Sequence, residues 1–166
     1  MTAPIETLSE AVACTGISTR TTNIAETRHE TAKLGRLWQK FYQEHAGHLA
    51  EGEDIYGIYH NYESDDVGAF DVVASWQTAS ADAAQSDSDK VHYLGDTVEV
   101  SIPAGKYMVF SEEGRMPNTV MDAWERAWAY FNDLDCEHTR TYNVDFEKYV
   151  DGNLEYGQVD LYIGIE

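Results

Sequence analysis

YNVDFEKY at residues 142–149, the turn Asp151-Gly152-Asn153, and VDLYIGI at residues 159–165 read together as a β-hairpin. Both runs mix β-branched and aromatic residues with interleaved polar ones, and the connection has tight-turn chemistry. Side chains alternate faces along a strand. Asp145, Glu147 and Tyr149 therefore share one face of the first strand, and Phe146 and Lys148 the other. On the second strand Asp160 and Tyr162 lie opposite Val159, Leu161 and Ile163. The expectation is that the hairpin gathers Glu147, Tyr149, Asp160 and Tyr162.

Working outward, KYMVFS at 106–111 reads as a strand, and Pro117 opens a helix with the apolar stripe Val120, Trp124, Ala127, Trp128 and Phe131. The order is strand, helix, strand, strand, and the first half repeats it. A strand near residues 11–19 precedes a helix that begins at Asn23 with Glu26 three residues on, a capping-box-like start. Its stripe is Leu34, Leu37, Trp38, Phe41, Tyr42 and His45, and Gly47 and Gly52 end the region. IYGIYHNY (55–62) and AFDVVASW (69–76) follow as strands around the turn 63–68. FDVVAS at 70–75 overlays VDLYIG at 159–164, placing Asp71 on Asp160 and Val73 on Tyr162. Tyr62 falls on Tyr149, and Trp38 and Trp128 occupy similar points of the two helices.

The predicted fold is α+β. Two βαββ repeats, about residues 11–78 and 96–166, pair with pseudo-twofold symmetry into an antiparallel sheet with two long helices and a ligand cleft between the halves. The Ala-, Ser- and Asp-rich stretch TASADAAQSDSDK (78–90) marks a linker, about 79–95, and TVEVSI (97–102) alternates as a strand.

A chain of 166 residues fits one domain, and 43% hydrophobic content supports a packed globule. The net charge of −19 repels nucleic acid and attracts cations. It equally serves solubility or acidic mimicry of DNA. No apolar run suits a membrane span, and residues 1–10 lack the features of a secretory signal. Cys14 and Cys136 read as reduced, structural thiols, so a cytoplasmic location is expected. The six histidines show no metal spacing, no nucleophile or phosphate-loop pattern is present, and no cofactor is expected.

A carboxylate among aromatic rings is costly to bury alone, which suits a site waiting for a cation. Rings stacked on that cation contribute about 0.5–2 kcal/mol each. Glu147 is the candidate carboxylate. Tyr59, Phe110, Trp124 and Trp128 are candidate rings, drawn from 11 Tyr, 4 Trp and 5 Phe. Plain core packing explains the same rings, and the hairpin face also reads as the solvent side of a two-stranded ribbon.

IPAGKYMVF (102–110), the Trp-bearing helix 120–131, DFEKY (145–149) and the closing strand 159–165 resemble the GyrI-like small-molecule-binding family. That family includes the effector-binding domains of AraC- and MerR-type transcription regulators (Rob- and BmrR-like). The specific motifs cover about the last 65 residues; the first half fits by element order. The resemblance implies two βαββ repeats around a cleft, Glu147 as the carboxylate that meets cationic ligands, and Tyr149, Asp160 and Tyr162 along the cleft. It also implies similarity to stand-alone members, some of which, on mobile gene cassettes, bind cationic drugs. Others inhibit DNA gyrase or hydrolyse reactive cyclopropane-bearing toxins.

The expected function is therefore binding of a lipophilic, cationic aromatic molecule, acting on transcription or drug tolerance through a protein partner. The alternatives are a hydrolase of electrophilic toxins, with Glu147 activating water, or an acidic gyrase inhibitor.

Overall fold

In the computed structural model, which describes residues 4–45, 49, 52–64, 68–78 and 97–166, the β-branched and aromatic runs form eight strands. These are β1 (Ile5–Leu8), β2 (Val12–Thr21), β3 (Ile55–His60), β4 (Phe70–Gln77), β5 (Val98–Ile102), β6 (Gly105–Arg115), β7 (Arg140–Tyr149) and β8 (Tyr156–Ile165). Among the described residues the α-helices are α1 (Asn23–Glu26), α2 (Leu34–Glu44) and α3 (Asn118–Phe131). All strands join one antiparallel sheet in the order β1-β6-β8-β7-β3-β4-β2-β5. The two expected βαββ units are the blocks β6-β8-β7 and β3-β4-β2, which meet at the β7–β3 seam. The expected linker 79–95 and Gly47 lie outside the described residues.

The connections force the sheet to curl. β5 lies at one edge and β6 beside the other, yet Ile102 ends the first and Gly105 begins the second. Three Cα steps span at most about 11 Å, whereas six strand spacings on a flat sheet cover roughly 29 Å. β1 and β2 are joined as tightly, from Leu8 to Val12. The sheet is therefore a curled half-barrel with a core on each face. Cys14, Tyr56, Ile58, Val73, Ile102, Tyr107, Val109, Phe146 and Tyr162 pack together on the face without helices. Leu37 and Phe41 of α2, and Val120, Ala123, Trp124 and Ala127 of α3, pack onto Tyr59, Val72, Ala74, Trp76, Met108 and Leu161 on the other face. Among the described residues, no helix is long and apolar enough to cross a membrane.

Three local expectations change. The first helix does not run on from Asn23. Thr22 is the cap, its hydroxyl accepting from the Ala25 amide, and the helix stops after Glu26. Thr27 and Thr31 turn their hydroxyls onto the Ile24 and Ala25 carbonyls, competing with helical bonds. Glu26 instead caps α2, accepting from the Lys33 and Leu34 amides at 2.9 and 3.2 Å and from Thr21 Oγ1 at 2.6 Å. β6 continues past Ser111 to Arg115. β1, which the sequence left unassigned, adds an edge to β6 with Ile5 opposite Met108.

Gly16 of β2 passes close over its neighbour β4. A Cβ there would lie 2.0 Å from the Ala74 carbonyl oxygen, and backbone cannot swing aside. Gly16→Ala is expected to cost about 3 kcal/mol or more. The check is urea unfolding, with a lower midpoint at unchanged slope.

Candidate functional site

β3 and β7 pair antiparallel with Gly57 opposite Glu147, between α2 and α3. The odd-numbered side chains of β3, and of β7 from Asp145 onward, face the helices. Because glycine has no side chain, Glu147 can reach across the seam. A Cβ at Gly57 would stand 2.8 Å from Glu147 Oε1 and 2.9 Å from Trp38 Cζ2. A cleft of about 960 Å³ opens above this pair. Its floor and walls include Trp38, Tyr59, Tyr62, Phe70, Trp124, Trp128, Arg140, Glu147 and Tyr149.

Glu147 is 2% exposed. Its Oε2 accepts from Tyr59 Oη at 2.7 Å and from Trp124 Nε1 at 2.6 Å; its Oε1 accepts from Tyr149 Oη at 2.8 Å. All three donors are neutral. Burial raises the Glu147 pKa above the ordinary carboxylate value, and the bonds from Trp124, Tyr59 and Tyr149 oppose that rise. Burial, reinforced by the adjacent Glu147 charge, pushes the Tyr59 and Tyr149 phenols well above their usual range, so both stay protonated as donors. The rings form a cage. Trp124 meets Tyr59 edge-on at 4.9 Å, Trp38 meets Tyr149 at 5.3 Å, and Trp128 lies 5.8 Å from Trp124.

A second polar group sits at one end of the cleft. Arg140 Nη2 bonds Asp145 Oδ2 at 2.7 Å, with both side chains almost wholly buried. Tyr62 Oη also donates to Asp145 Oδ2, and Asp145 Oδ1 accepts from the Gly164 amide at 2.8 Å.

Of the residues expected at the site, the structure brings together Glu147, Tyr149, Tyr59, Trp124 and Trp128. Asp160 and Tyr162 do not join them. In the observed register Glu147 pairs with Leu161, Lys148 with Asp160 and Phe146 with Tyr162, so odd residues meet odd. The expected grouping needed a register one residue away, which exchanges the faces. Tyr162 instead stacks on Phe146 at 4.4 Å in the helix-free core. Phe110 faces the helices but packs away from the cleft, against Tyr130 and Phe131.

Gly57, Trp38, Tyr62 and the Arg140–Asp145 pair were not identified from the sequence as site residues. A glycine inside IYGIYH was the available signal, because glycine within a strand marks a close approach. Trp38 read as core stripe, and the ion pair depends on a register irregularity between Arg140 and Asp145 that no pattern announces.

The chain matches the Cass2 family, integron-associated effector binding proteins, over residues 5–165. It is similar to the integron cassette protein VCH_CASS2 from the mobile metagenome of Vibrio cholerae, at 36% identity and TM-score 0.82, covering 100% of this chain and 97% of that one. It shares its fold with SAV2435, solved bound to tetraphenylphosphonium, at 20% identity, TM-score 0.67 and coverage of 100% and 94%. It likewise shares the fold of a putative bacterial transcription regulation protein from Staphylococcus aureus MU50, at 19% identity, TM-score 0.66 and coverage of 100% and 99%. No curated protein matches the chain significantly.

Gly57→Ala tests the seam. Both the Glu147 carboxylate and the Trp38 ring must shift to admit the methyl group. A loss of about 1–3 kcal/mol is expected in thermal or urea unfolding. Trp38 fluorescence should change with it, and an unaltered variant would contradict the close approach.

Proposed function

The chain belongs to the integron-associated effector binding protein family, and from that membership we propose that its cleft binds lipophilic, aromatic cations over Glu147. The observation that carries this reading is a buried carboxylate whose hydrogen-bond partners among the described residues are three neutral donors. Neutral donors stabilise the ionised form without cancelling its charge, so a cation entering the cleft meets an unneutralised partner. Those bonds occupy much of the carboxylate's accepting capacity. A primary ammonium loses its hydration there without full replacement. A quaternary or ring-delocalised cation, which has no N–H to satisfy, loses little. The cage of Trp38, Tyr59, Trp124, Trp128 and Tyr149 offers ring faces and edges to such an ion. The net charge of −19 draws cations toward the protein. Tetraphenylphosphonium on SAV2435 shows what one protein of this fold holds.

In this reading the protein acts as a receptor for such compounds, in drug tolerance or as an input to transcription through a protein partner. The test is calorimetric titration with tetraphenylphosphonium and the neutral triphenylphosphine oxide. Wild type should bind the cation saturably and the neutral compound far more weakly. Glu147→Gln should weaken the cation about 100-fold and leave the neutral compound unchanged. Equal binding by wild type and variant overturns the assignment, and progressive chemical loss of an electrophilic ligand would indicate hydrolysis instead.

The pH dependence has a definite sign. The cation needs the ionised carboxylate, and burial raises the pKa of Glu147. Affinity should therefore fall as pH drops through that raised value, by about tenfold per unit below it. The fall begins at a higher pH than for an exposed glutamate. Binding should release a proton in that window, and both effects should be absent in Glu147→Gln.

A further inference from the structure

Arg140 is the one Lys or Arg among the described residues that line the cleft. A guanidinium is an odd wall for a cavity that receives cations, unless its charge is cancelled and its hydrogen bonds are what matter. Both conditions have support. Asp145 is fully buried against Arg140 Nη2 and neutralises it. The guanidinium carbon lies 4.2 Å from the centre of the Tyr142 ring, which fixes the plane of the fork. Arg140 is 8% exposed, and its Nε has no hydrogen-bond partner among the described residues. A buried charged donor left unmatched is costly, and because the guanidinium lines the cleft, an acceptor carried in beside it can supply what the protein does not.

We propose that the Arg140 end of the cleft is a second recognition point, which takes a hydrogen-bond acceptor carried by the ligand. The preferred ligand class is then a delocalised cation bearing a carbonyl or carboxylate oxygen about one ring away from its charge. The spacing follows from the strand. Asp145, which anchors the guanidinium, lies two residues from Glu147 on the same face of β7, a separation of roughly 7 Å. Phe70 and Tyr62, 5.8 Å apart, line the space at that end. Arginine suits the task because its planar fork can hold Asp145 with one nitrogen and present another edge to a ligand. This inference rests on Glu147 as the partner of the cation, so its test must separate the two.

Two dyes share one xanthylium cation and differ by a single acceptor: tetramethylrosamine and tetramethylrhodamine methyl ester. Their binding to wild type is measured by fluorescence anisotropy. The ester is expected to bind about tenfold tighter. In the double variant Arg140→Met/Asp145→Asn, which removes both buried charges together so that neither is left alone, the ratio should collapse to within about twofold. Glu147→Gln should weaken both dyes and preserve their ratio. If wild type binds both dyes equally, or the preference survives in the double variant, the Arg140 assignment is overturned while the Glu147 reading stands. If neither dye binds wild type, both fail. Should the double variant not fold, as judged by its circular dichroism, the wild-type comparison alone decides.

Discussion

A carboxylate buried with three neutral hydrogen-bond donors, and no cationic side chain paired to it among the described residues, sets the terms for this molecule. Tyr59, Trp124 and Tyr149 come from two strands and a helix, and each must be in place for Glu147 to remain both buried and ionisable. Losing any one of them leaves a charged group short of partners in a low-dielectric setting, where that shortage is most costly. The site is therefore also a structural junction, since the groups that stabilise the negative charge hold α3 and the β7–β3 seam together.

The symmetry of the sheet explains how one carboxylate comes to be so well served. Gly57 and Glu147 face one another across the seam. Two residues further along each strand, running in opposite directions, stands a tyrosine: Tyr59 on β3 and Tyr149 on β7. The two phenols approach Glu147 from either side, one to each oxygen. At the centre the symmetry breaks, where one half supplies the acid and the other supplies the space for it. A side chain on both strands would crowd the seam, and a glycine on both would leave it empty.

Much of this was legible in the sequence, and the rest was hidden for identifiable reasons. Strand runs such as IYGIYH and VDLYIGI show because alternation and β-branching are local properties. The order of elements showed the two units, and DFEKY, with its family resemblance, pointed to Glu147. The pairing register was not legible. Whether Tyr162 faces Glu147 or Phe146 depends on how the β7–β8 connection closes, and a shift of one residue changes the answer without altering any local pattern. The break between α1 and α2 was hidden for a similar reason. Thr27 and Thr31 have acceptable helical neighbours, and only their hydroxyl contacts reveal that the chain has turned. Edge strand β1 is short and mostly exposed, so it lacked the apolar period that marks a strand.

The strand order has one more consequence. β1 precedes the first unit in the chain but pairs with β6 of the second, and β5 precedes the second unit but pairs with β2 of the first. Each half thus completes the outer edge of the other. In architectural terms this is a reciprocal strand exchange, the arrangement of a domain-swapped homodimer with its two subunits joined into one polypeptide. Neither half keeps its full complement of strands when separated from the other. The ligand cleft lies where the interface between two exchanged partners would be.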